Sequence, residues 1–123
     1  MAATLKLHGI AHTRSGDKGN HANVAVIAYT AAGYEHLREH LSADRVAAFF
    51  HQLGASRVER FLAPNVWGLN FVLHDCLAGG ASRSLRIDTQ GKALGQAVLE
   101  LELPAPSHPE ALRRPGPNPG SGP

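Results

Sequence analysis

Cysteine, tryptophan and methionine each occur once in this 123-residue chain, and aromatic residues make up only 6% of it. The lone thiol, Cys76, can close no intramolecular disulfide and build no cysteine zinc site. An excess of one charge is missing too. The formal net charge is +2, and the longest basic run is Arg113-Arg114. Nucleic acid asks for a concentrated basic face that neutralises several phosphates, so it is not an expected partner. No apolar run approaches the about eighteen residues of a membrane span. His8, His12 and Arg14 also interrupt the N-terminal segment where a signal peptide would be apolar. These absences lead to the expectation of a soluble, cytoplasmic protein with no membrane contact, no metal and no cofactor. Its length suits one domain with a core large enough to fold without staples.

Proline is unevenly spread, with seven of the eight between Pro104 and Pro123. Such a segment can neither run a regular hydrogen-bond ladder nor bury much apolar area. The expected organisation is a folded domain over residues 1–103 and a Pro-rich tail over 104–123. Within the domain, short apolar runs at 4–12 and 22–30 read as strands. Apolar spacings of three and four from Tyr34 to Leu53 predict two short helices. Ser42 is the N-cap of the second, Asp44 lies in its first turn, and Gly54 ends it. Arg57–Leu62 alternates as a strand. The segment after Pro64 reads as a helix capped by Asn65, with Val66, Leu69, Leu73 and Leu77 as its stripe and Gly79-Gly80 as its stop. A strand over Leu69–Leu73 is the alternative. Arg83–Asp88 and Ala97–Leu103 read as strands joined by a hairpin turn at Asp88-Thr89-Gln90-Gly91-Lys92. The expected fold class is α+β, a two-layer sandwich of roughly five mostly antiparallel strands with helices on one face.

Three constellations could carry chemistry. The first is Arg14-Ser15-Gly16-Asp17-Lys18-Gly19-Asn20 with Asn23, read as a loop longer and more polar than a reverse turn needs. It matches neither the Walker A spacing nor G-x-G-x-x-G. Backbone N–H groups freed by the glycines, with Arg14 and Lys18, suit an anion, and Asp17 could pair with either cation. The competing reading is a structural corner in which the amides satisfy loop backbone. The second constellation is Asn70 with His74, four residues apart and on one face whether the segment is helix or strand. They could orient a ligand, with His74 moving a proton, or simply satisfy each other inside the fold. The third is Gly79-Gly80-Ala81-Ser82-Arg83-Ser84, where Ser82, Arg83 and Ser84 could form a second anion-contacting loop. A helix stop and strand entry explains its glycines equally well. His36-Leu37-Arg38-Glu39-His40 spells an inverted zinc-protease pattern, but on a short charged helix it reads as a solvated face. Cys76 and Trp67 read as core packing.

Together, the motifs AHTRSGDKGN with Asn23, LNFVLH from Leu69, and GGASRSLRIDTQGK from Gly79 resemble the C-terminal domain of AtuA-type (acyclic terpene utilisation) proteins. The resemblance covers residues 5–103 and leaves the Pro-rich tail without a counterpart. It implies a ferredoxin-like α+β sandwich and a role in catabolism of branched terpenoid acids or their acyl-CoA esters. In those proteins the domain follows a much larger N-terminal domain, so the resemblance also implies a larger AtuA-type partner here. It supplies no catalytic residue. The expected role is therefore an accessory or ligand-binding subunit, contacting an acidic small molecule or acyl-CoA through the three constellations. A structural or oligomerisation module is the rival, and an autonomous enzyme using His74 a further one. Exposed sheet edges in so small a domain also point to a homo-oligomer.

Overall fold

The computed structural model describes residues 3–18, 21–51, 54–75 and 92–113. In chain order the elements are β1 (Thr4–Lys6), β2 (Ala11–Lys18), β3 (His21–Ala28), α1 (Ala31–His40), α2 (Ala43–Phe49), β4 (Arg57–Ala63), β5 (Gly68–His74), α3 (Lys92–Val98) and β6 (Glu102–Pro104). Strands β2, β3, β5 and β4, in that spatial order, form an antiparallel four-stranded sheet, and β1 pairs antiparallel with β6. The fold is α+β as expected, with mixed helices and antiparallel strands.

Alternation decides which side of the sheet is buried. Ala22, Val24, Val26 and Ala28 on β3 meet Leu69, Phe71 and Leu73 on β5 in one apolar layer. All three helices cover that layer. α1 lies against β3 and β5, α2 against β4 and β5, and α3 against β2 and β3. Leu37, Val46, Leu94 and Val98 fill the space between, and Leu7 and Leu103 extend the core beneath the small β1–β6 pair.

The helix starts follow capping chemistry. Thr30 Oγ1 accepts the Gly33 N–H at 2.9 Å, and Ser42 Oγ accepts the Arg45 N–H at 3.0 Å. The two-helix reading of 34–53 and the Ser42 cap are thus realised, with α1 beginning three residues before Tyr34.

Three expectations change. Arg14–Lys18 is not loop: it is the second half of β2, paired residue by residue with β3 as far as Lys18↔His21. Only Gly19 and Asn20, which lie outside the described residues, separate the two strands. Second, the segment after Pro64 is strand β5 rather than helix. Leu69, Phe71 and Leu73 are buried at a period of two, and β3 and β4 satisfy its backbone on both sides. The helical stripe fails at Val66, which is exposed; Trp67, expected to pack, is 42% exposed and turns the chain at φ 57. Third, Ala97 and Val98 belong to α3, where Leu94 and Val98 share one face, so the strand shrinks to β6. Lys92 opens that helix instead of closing a hairpin. The expected strand Arg83–Asp88, the rest of that turn and Cys76 lie outside the described residues.

Residues 105–113, within the segment composition assigns to the tail, run along the domain. Ala105 N–H donates to the Ala3 carbonyl at 3.0 Å, Thr30 Oγ1 donates to the Ala111 carbonyl at 3.0 Å, and Leu112 is only 5% exposed.

Candidate functional site on the open sheet face

Because all the helices lie on one side, the other face of the four-stranded sheet carries no element among the described residues. Register arranges that open face in rows across β2, β3, β5 and β4. One row is His12, Ile27, Gly68 and Ala63; the next is Arg14, Ala25, Asn70 and Phe61; the third is Gly16, Asn23, Val72 and Glu59. At the far end His74 stands beside Arg57, and Lys18 is paired with His21. The rows bring Arg14, Gly16, Asn23, Asn70 and His74, from two separate motifs, onto one surface.

Asn23 Nδ2 donates to Asn70 Oδ1 at 3.2 Å, linking two strands along a diagonal. Arg14 is exposed and makes no hydrogen bond or ion pair among the described residues. A side chain at Gly16 would bring its Cβ within 3.4 Å of Asn23 Oδ1, so glycine keeps that oxygen open. Ala25, Ile27 and Val72 supply half-buried apolar floor, Phe61 is exposed beside them, and a depression of ≈ 270 Å³ is lined by His21, Ala22, Asn23 and Val72.

His74 is held tightly. Its Nε2 lies 2.7 Å from Glu59 Oε1, which Arg57 Nη2 also approaches at 3.3 Å. The hydrogen bond from His74, aided by the Arg57 charge, holds the Glu59 carboxyl below its ordinary range, so Glu59 is ionised at neutral pH. The His21 ring meets His74 edge to face at 4.9 Å, and the Asp75 backbone N–H donates to His21 Nδ1 at 3.1 Å. Ser56 Oγ completes the network by donating to Asp75 Oδ2 at 2.7 Å. The sequence reading named His74 but missed His21, Glu59, Asp75 and Ser56. Glu59 becomes visible only once β4 is paired with β5, because the register sets it diagonally beside His74.

One expected site residue turns to the opposite face. Ser15 faces the helices: its Oγ accepts the Gly95 N–H at 3.2 Å, while Thr13 Oγ1 donates to the Gly95 carbonyl at 2.8 Å. For Asp17 and Lys18 the backbone pairing alone is described, Asp17 with Ala22 and Lys18 with His21. Gly19, Asn20, Gly79, Gly80, Ser82, Arg83 and Ser84 lie outside the described residues. In the inverted zinc-protease pattern, His36 is buried with Nε2 2.7 Å from the Pro104 carbonyl, and its ring lies 4.4 Å from that of His40. No group of three or more His, Cys, Asp or Glu side chains among the described residues is arranged to hold a metal ion. No described helix is long and apolar enough to cross a membrane.

Compared with known proteins, the chain matches no curated protein and no solved structure. It does match a family model described as the AtuA ferredoxin-like domain over residues 5–104, from within β1 to the end of β6. That span takes in the whole described sheet, its three helices and both motifs that meet on the open face, and the chain therefore belongs to the AtuA ferredoxin-like domain family.

Proposed function

We propose that this domain is an accessory, ligand-contacting subunit of an AtuA-type system, in which the open sheet face completes a site held by a larger AtuA-type protein. The ligands are branched terpenoid acids or their acyl-CoA esters. One observation carries the reading: Arg14, Asn23, Asn70 and His74 lie together, with the apolar positions Ala25, Ile27, Val72 and Phe61, on a face that no described element covers. The guanidinium and amides suit an acidic head group, and the small and apolar positions suit a branched hydrocarbon. A ligand site encloses most of its ligand, whereas this face supplies one wall, so a second protein supplies the other.

The test is co-purification from native cells, followed by mass spectrometry of bound proteins. Wild-type protein retains a larger AtuA-type chain. Arg14→Ala and Asn70→Ala reduce its recovery and slow growth on a branched terpenoid acid, while His8→Ala, outside the four-stranded sheet, changes neither. Undiminished recovery and growth with both substitutions would reject the proposal. A second reading has its own support, since Ser15 and Thr13 commit their hydroxyls to Gly95 and so buttress α3. A defined homo-oligomer that binds neither ligand nor larger partner favours that structural or oligomerisation role.

A further inference from the structure

Among the described residues, the network at the His74 end of the open face leaves specific atoms without partners. A backbone N–H can only donate. The His21 Nδ1 therefore accepts from Asp75, and the neutral ring keeps its proton on Nε2. An ionised carboxylate can only accept, so His74 donates to Glu59 through Nε2, which fixes its ring against that of His21. Among the described residues the His21 Nε2 donor meets no partner. The opposite vacancy lies one row away. Asn23 Nδ2 donates to Asn70 Oδ1, which leaves Asn23 Oδ1 as an acceptor and Asn70 Nδ2 as a donor. Gly16 keeps the Asn23 oxygen uncovered, and His21, Asn23 and Val72 line the same ≈ 270 Å³ depression.

We propose that His21 and Asn23, positioned by His74 and Asn70, form a recognition subsite for a secondary amide, a neutral group that carries an N–H donor beside a C=O acceptor. A carboxylate brings only acceptors and would set one against Asn23 Oδ1. An ester brings no donor, which leaves that oxygen unmet. A secondary amide satisfies both polarities around the depression at once, its N–H donating to Asn23 Oδ1 and its C=O accepting from His21 Nε2, and an unmet polar group in a contact costs more than a made bond gains. Val72 and Ala25 give its substituents an apolar floor. The subsite rests on the reading of the open face as a ligand surface and adds the class of group bound at its imidazole end.

The test is nuclear magnetic resonance on the isotope-labelled full chain at pH 7.5, with three probes that share one carbon skeleton: N-methylisovaleramide, methyl isovalerate and isovalerate. Two-bond proton–nitrogen correlations report the proton of His21 on Nε2. The amide shifts the Asn23 and Asn70 side-chain resonances and both imidazoles saturably, with a dissociation constant about tenfold below that of the ester, equivalent to about 1.4 kcal/mol. Asn23→Ala and His21→Phe each abolish that preference, and His12→Phe preserves it. Having two independent variants guards against one that fails to fold. A His21 proton on Nδ1, equal affinity for amide and ester, or no amide response overturns the subsite. Isovalerate shifts centred on Arg14 without an amide response reject the subsite alone, leaving the open-face reading in place.

Discussion

His36 joins two distant parts of the chain through one ring. Its Nε2 contacts the Pro104 carbonyl, and burial, the largest influence, lowers its pKa from the ordinary 6.5, opposed by that carbonyl. A histidine depressed in the folded state favours folding when it is neutral. As pH falls through the unfolded value the denatured chain takes the proton first, so stability is full above that value. It declines as pH drops towards the folded value and levels off below it. Thermal melts between pH 7.5 and 5 therefore show a falling Tm that His36→Gln flattens; an unaltered slope in the variant would assign the decline to other groups. Glu59 has the same sign, being lowered by His74 from 4.5. Its contribution is present above that unfolded value and disappears as pH falls through the folded one. On acidification the His36 decline begins near 6.5 and that of Glu59 near 4.5.

Among the elements, α3 shows how a close approach overrides local preference. Within a helix, Gly→Ala gains about 1 kcal/mol of propensity. At Gly95, however, a Cβ would stand 3.0 Å from both Ser15 Oγ and Thr13 Oγ1, the two hydroxyls that hold the helix to β2. Gly95→Ala is expected to destabilise by about 1–3 kcal/mol through overpacking, read as a lower urea midpoint. Gly9→Ala, with nothing within 4 Å, is the tolerated control. The same contact explains why Ser15 left the candidate site although Arg14 stayed. Neighbours on a strand point to opposite faces, so a motif read as a loop splits when it becomes β2. Strand β5 teaches the converse. Leu69 and Leu73 fit periods of two and four equally, and only the buried Phe71 between them, with partners on both sides, selects the strand. Ser42 needed no such context, because an N-cap acts within three residues of itself.

At the scale of the whole molecule, the chain past Pro104 contributes to the fold. Leu112 belongs to the same core cluster as Leu37 and Leu103, and its carbonyl lies 3.4 Å from where a Cβ at Gly33 would stand. Leu112→Ala is expected to cost about 2–5 kcal/mol, the range for emptying a buried leucine site. Chemical denaturation measures it, and a loss below about 0.5 kcal/mol, typical of surface positions, would show that the segment does not pack in solution. Proline composition concealed this docking, because one buried leucine and a few carbonyl contacts leave little trace in a segment average. The separation of sheet faces is likewise a property of the whole. A single apolar layer faces three helices, and His12, Arg14, Asn23, Asn70 and His74, of opposite parity, are carried to the side that no described element covers.

Residue order alone determined what depends on near neighbours: the Ser42 cap, the two short helices, the β4 strand, the α+β class and the motifs that mark the family. Tertiary structure decided what depends on distant partners. It turned Arg14–Lys18 into strand, gave Ser15 to α3, paired Glu59 with His74 across two strands, and set Asn23 against Asn70, 47 residues apart. Capping energies are local and act on the chain as written. A strand's register and the partners of a half-buried polar group depend on segments far along the chain, which take their positions only when the sheet assembles.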